Sequence, residues 1–118
     1  MPNDFASMKK LGPVELASIA KLFGLLSEPA RLQILQSLQA GPATVTELTD
    51  RTGLKQANLS KHLSMLYDAG LLSREKDGVF VRYQIAESLV FDLCRLVCGK
   101  LHRDAALRAG ALSAAVES

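Results

Sequence analysis

Apolar and polar positions recur with a helical period over most of this chain. Leu16, Ile19, Ala20, Phe23 and Leu26 fall three or four apart and predict a first helix from about Val14 to Leu26, with Pro13 suited to its first turn. Ser27 is expected to cap a second helix, with Glu28 and Pro29 in its first turn and Leu32, Leu35 and Leu38 facing inward. Gly41-Pro42 closes that helix. The stretch from Thr44 to Gly70 then reads as two short helices joined by a tight turn. Thr44 and Glu47 fit a capping box, Val45 and Leu48 supply an inward stripe, and Gly53 provides the stop. The next helix is expected from about Lys55 to Ala69, because Leu59, Leu63 and Leu66 share one face. Gly70 ends it. LLSREK and VFVRYQIA follow, separated by Asp77-Gly78, a strong signal for a hairpin turn. Leu89, Leu93 and Leu96, with Val90, Val97 and Leu101, predict a long last helix from Glu87 to about Arg108. From Ala105 the chain is rich in Ala and carries Gly110, so the helix is expected to weaken there.

A helix-turn-helix followed at once by a basic two-stranded ribbon predicts a mainly α fold with a β-wing, a winged helix-turn-helix. The expected layout is a flexible segment over residues 1–12, a DNA-binding and dimerisation domain over 13–108 and a mobile tail over 109–118. The apolar arcs on the first and last helices are wider than one small domain needs, which points to a homodimer through those two helices. The chain resembles the ArsR/SmtB family of small bacterial repressors. The resemblance rests on SEPARLQILQSL (Ser27 to Leu38), ELTDRTGLKQANLSKHLSMLYDAGLL (Glu47 to Leu72) and REKDGVFVRYQI (Arg74 to Ile85), in that order. It implies the same fold and dimer, and loss of DNA affinity when an effector arrives.

Composition narrows the choice further. A chain of 118 residues supports one domain, and 48% apolar residues are enough for its core. The net charge is only +2, so affinity for nucleic acid must come from local clustering of basic groups. No apolar run approaches the ~20 residues of a membrane span, and the N-terminus shows no apolar secretion signal. With two cysteines and no such signal, the expectation is a reduced, cytoplasmic protein whose thiols stay free. No glycine-rich phosphate loop, nucleophile elbow or metalloprotease pair is present, which argues against an enzyme.

The polar front of the helix after Gly53 carries the DNA reading. Lys55, Gln56, Asn58 and Lys61 fall away from its leucine row, and no acid stands between Asp50 and Asp68. Gln56, Asn58 and Lys61 are the candidates for base edges; Lys55 and Ser60 suit phosphate or mixed contacts. Arg74, Lys76 and Arg82 of the wing are expected to approach backbone phosphate or the minor groove, with Glu75 and Asp77 interleaved. The family often has Ser where Lys55 stands, capping this helix. His62 lies between the two faces and reads more readily as a hydrogen-bonded structural histidine than as a DNA contact. The partner expected is an inverted-repeat duplex, one half-site for each protomer. A protein-docking role is the competing reading of the fold.

Cys94, Cys98 and His102 follow one another at intervals of four and so lie along one face of the last helix. Three readings stay open. The cysteines are small apolar packing groups, or a redox or reactive-sulfur sensor, or, with His102 as a third ligand, a site for a thiophilic metal or arsenic(III) acting as inducer. No cofactor is otherwise required. Arg95 and Lys100 stand nearby and are expected to favour the thiolate form. The family's known sites are not reproduced: Thr44-Val45-Thr46-Glu47 has no Cys-x-Cys, Glu87, Leu89, Lys100 and Arg103 do not give its carboxylate and histidine spacing, and no cysteine lies near Gln36.

Overall fold

The computed structural model describes the backbone of residues 10–117 and the side chains as far as Gly110. Five helices and three short strands follow in the order α1 (Pro13–Leu26), α2 (Pro29–Leu38), β1 (Ala43–Thr44), α3 (Val45–Thr52), α4 (Gln56–Asp68), β2 (Leu72–Asp77), β3 (Phe80–Ile85) and α5 (Leu89–Glu117). This is a winged helix-turn-helix, as the sequence predicts. Residues up to Ala86 form one compact unit and those from Glu87 another.

In the first unit, aliphatic side chains from three helices and the wing share one core. Ile34, Leu35 and Leu38 of α2, Leu48 of α3, and Leu59, Leu63 and Leu66 of α4 are almost fully buried, with Leu71, Leu72 and Tyr83 beside them. The inward face of α2 differs from the expectation. Ile34 takes the inward place that the spacing gave to Leu32, which is exposed.

Capping follows the sequence closely around the helix-turn-helix. The Thr44 hydroxyl accepts from the Glu47 N–H at 3.2 Å, and the Glu47 carboxylate accepts from the Thr44 N–H. Gly53 ends α3 with φ of 75°, a left-handed conformation that favours glycine. Ser27 behaves otherwise than predicted. Its hydroxyl donates to the Gly24 carbonyl at 2.7 Å and so closes α1, while Glu28 occupies the N-cap of α2 without a side-chain bond.

The wing pairs β2 with β3 in antiparallel register from Leu72↔Ile85 to Asp77↔Phe80. Its loop is therefore Gly78-Val79, not Asp77-Gly78. Only Gly78 has positive φ, 66°, the pattern of a type II′ turn with Gly first. A third strand, β1, adds to β3 through Ala43↔Tyr83 and Thr44↔Arg82. Two residues are too few to show a period, so the sequence gave no sign of it.

In the second unit α5 begins at Leu89, whose N–H donates to the Glu87 carboxylate at 3.1 Å. The helix continues past Arg108 to Glu117, beyond the point where weakening was expected. Most of the expected N-terminal segment and the side chains after Gly110 lie outside the described residues. Among the described residues no helix is long and apolar enough to cross a membrane.

Candidate nucleic-acid interface

The leucine row of α4 fixes which way its other side chains point. With Leu59, Leu63 and Leu66 at 0% exposure, the opposite side of the first two turns is left in solvent. Lys55 stands at the N-cap, with no side-chain cap bond, and Gln56, Asn58, Ser60 and Lys61 follow, all exposed. Among the described residues none of these five side chains takes part in a hydrogen bond or ion pair. The structure therefore brings them together as one polar, basic and unengaged front.

His62, one residue further on, is turned away from that front. Its Nδ1 accepts a hydrogen bond from Arg31 Nε at 3.1 Å, which agrees with its reading as a structural histidine.

The wing's cations are placed differently from one another. Lys76 is exposed and forms no ion pair among the described residues. Arg74 lies over the ring of Tyr67, 3.9 Å from its centre, so its charge faces α4. Arg82 is held between two carboxylates, with Nε 2.7 Å from Asp77 and Nη1 3.1 Å from Glu47. Both arginines were expected at phosphate. Here they fasten the wing to the helix-turn-helix instead, because β1 carries the α3 capping box up to β3. Glu47 also lies 3.6 Å from Arg51. Its carboxyl is held below the ordinary 4.5, first by the Thr44 hydroxyl, then by the Thr44 N–H and the charges of Arg82 and Arg51. The Glu47–Arg82–Asp77 chain has no sequence signal, since its members are far apart along the chain and join only through the strand register.

Cys94 and Cys98 on α5 are both free and exposed, which disagrees with inert packing within one chain. His102 is exposed as well. The neighbouring cations are engaged elsewhere on the helix: Arg95 pairs with Asp92 and Lys100 with Asp104. Among the described residues no three His, Cys, Asp or Glu side chains are grouped to hold a metal ion. The ligand set Cys94, Cys98 and His102 is thus not assembled by one chain. Eight residues of helix rise about 12 Å, too far for Cys94 and His102 to reach one ion with bonds of about 2.0–2.3 Å.

Comparison with known proteins places this arrangement. Residues 28–74 match the model of the arsR family of bacterial regulatory proteins. The chain is 38% identical over 77 residues to a probable mercury resistance operon repressor of Streptomyces lividans, covering 65% of this chain and 62% of that one. It thus spans less than two thirds of the length of that curated relative. The crystal structure of Rv0081 of Mycobacterium tuberculosis superposes with a TM-score of 0.72 at 31% identity, covering 84% of this chain and 99% of the other. A solution structure from Mycobacterium bovis, the homodimeric winged helix-turn-helix DNA-binding domain of a possible ArsR-family regulator, gives 0.65 at 29% identity, over 75% of this chain and 82% of the other. Sequence, wing and helix-turn-helix agree: the chain belongs to the arsR family of bacterial regulatory proteins.

Proposed function

We propose that this protein is a homodimeric transcriptional repressor that binds an inverted-repeat operator and leaves it when an effector reaches Cys94 and Cys98. The observation that carries the DNA half is the unengaged front of Lys55, Gln56, Asn58, Ser60 and Lys61 on a helix seated by three buried leucines. Such a front suits the major groove, where Gln, Asn and Lys meet base edges and Lys and Ser meet phosphate. Lys76 of the wing is the cation left for the neighbouring backbone. Acting on DNA, the protein would work in the cytoplasm, where thiols are kept reduced.

The dimer is supported by apolar side chains left in solvent. Val14, Leu16 and Phe23 of α1, and Leu96, Val97, Leu101 and Leu107 of α5, are each more than half exposed. Surfaces of this kind mark an association site. A two-fold axis then sets the two α4 helices about 34–36 Å apart, one turn of duplex.

Two exposed thiols one helical turn apart favour an effector that needs two sulfurs and no third ligand from the same chain. Bridging by an oxidised sulfur donor such as a polysulfide meets that demand: the thiols give up two protons and two electrons, and added sulfur spans a gap that a direct disulfide would close only with strain. A thiophilic ion, arsenic(III) or a soft metal, is the second reading. The relative named as a mercury resistance operon repressor favours it. In either case the change falls on a helix of the dimer interface and alters the separation of the two α4 helices. A coupling of ~1–3 kcal/mol suffices for regulation.

Gel shifts at two salt concentrations, with and without polysulfide, arsenite or Cd(II), test both halves. The expected result is salt-dependent binding of duplex that is lost with one of these agents, and retained in the Cys94→Ser, Cys98→Ser double variant. Continued release of that variant removes the cysteines from the sensing role. Indifference to every duplex at low salt overturns the repressor reading and leaves protein docking in its place.

A further inference from the structure

Arg31 sits near the start of α2 and reaches three ways. Its Nε donates to His62 Nδ1 on α4 at 3.1 Å, its Nη1 donates to the Leu25 carbonyl at the end of α1 at 3.0 Å, and its Nη2 lies 3.5 Å from the Met65 sulfur, again on α4. The Leu25 carbonyl is open to a new partner because the residue four further on is Pro29, which has no N–H. Acceptance at Nδ1 requires the unprotonated nitrogen there, so the ring proton sits on Nε2.

The space around this link is loosely filled. A cavity of about 580 Å³ opens between α1 and α4, with Leu22, Leu25, Met65 and Ala69 in its lining. Apolar packing across that gap is therefore incomplete. The buried leucines hold α4 on the core from the other side, but hydrophobic contact is non-directional and does not by itself fix rotation or slide. Base readout needs side chains placed to within roughly 0.5 Å and 10–20°. A planar guanidinium with donors in fixed directions can supply that constraint, and an ammonium cannot reproduce it.

We infer that Arg31 is a positioning residue for DNA readout. Acting through His62, it sets the rotation of α4 against the α1–α2 corner, so that Gln56, Asn58 and Lys61 meet base edges in register. The inference rests on the DNA-binding reading. Its second arm, to the Leu25 carbonyl, ties the same guanidinium to α1, and any shift of α1 in the dimer then passes directly to α4.

The test compares two duplexes: the inverted repeat that the wild-type protein enriches from a random pool, and a scrambled sequence of equal length. Arg31→Met, Arg31→Lys, His62→Ala, His62→Gln and the Arg31→Met, His62→Ala double variant are titrated at two salt concentrations, with thermal melts alongside. Arg31→Met and His62→Ala are expected to lose roughly tenfold on the selected duplex, the size of one lost directional bond, with unchanged affinity for the scrambled one. The double variant should be no weaker than the weaker single variant, since both remove the same link. His62→Gln, whose side-chain carbonyl can accept from Arg31, should recover most of the loss. Arg31→Lys keeps the charge and should still lose, which covers the case that Arg31→Met does not fold. Equal losses on both duplexes with a flatter salt dependence would make His62 a phosphate contact and overturn the inference, as would additive losses or full affinity in Arg31→Lys and His62→Ala. A wild-type protein that selects no duplex brings down the DNA-binding reading and this inference with it.

Discussion

Lys55→Ser should raise stability and lower DNA affinity in one step. Lys55 is the N-cap of α4 and its side chain makes no cap hydrogen bond. Serine at an N-cap accepts from a first-turn N–H, and a capping residue of this kind contributes about 1 kcal/mol over one that does not cap. Removing a positive charge from the helix N-terminus acts in the same direction. A chain of 118 residues melts with an entropy of roughly 0.25 kcal/mol/K, so ~1 kcal/mol raises Tm by about 4 °C. On DNA the sign reverses. Each phosphate contact contributes about 0.9 to the slope of log affinity against log salt, and a dimer loses two such contacts, or ~1.8. Between about 50 and 200 mM salt the wild-type affinity should therefore fall about tenfold more than that of the variant. Calorimetry and fluorescence anisotropy at several salt concentrations measure the two effects. Arg82→Gln is the matched control. Its charge is already taken by Glu47 and Asp77, so it should lose stability and leave the salt slope unchanged. A Lys55→Ser protein that melts no higher, or whose salt slope equals that of the wild type, would refute the placement of Lys55.

Two further outcomes follow from the core and the cap. Leu63→Ala removes a side chain at 0% exposure and should cost about 3–5 kcal/mol in urea unfolding; a loss under about 1 kcal/mol would mean that the leucine row does not form the core. Glu47 has a folded pKa below the ordinary 4.5, chiefly through the Thr44 hydroxyl. The folded state thus takes up this proton less readily than the unfolded chain. The stabilisation is fully present above about pH 4.5 and is lost as pH falls through the depressed value. Glu47→Gln should flatten that part of the acid limb of Tm against pH, and an unchanged limb would place the acid sensitivity elsewhere.

What could be read from the sequence was local. The Thr44 and Glu47 capping box, the Gly53 stop, the leucine row of α4 and the hairpin all depend on residues within a turn or two of one another. Such interactions are encoded by spacing, so the helix-turn-helix, its wing and the polar front of Lys55, Gln56, Asn58, Ser60 and Lys61 were legible in advance. The two exposed cysteines were legible as a pair for the same reason.

Tertiary structure decided the rest, because it joins residues that spacing cannot connect. Leu32 and Ile34 exchange roles on α2, since which face is inward depends on what α3 and α4 offer it. The two-residue strand β1 sets Arg82 beside Glu47, and the pairing of β2 with β3 returns Arg82 to Asp77, so a wing cation that looked free for phosphate is bound within the fold. Arg74 is drawn over Tyr67 in the same way. Arg31 reaches His62 across 31 positions of sequence only because α2 lies against α4. A charge's partners are set by distance in space, and that distance exists only once the chain has folded.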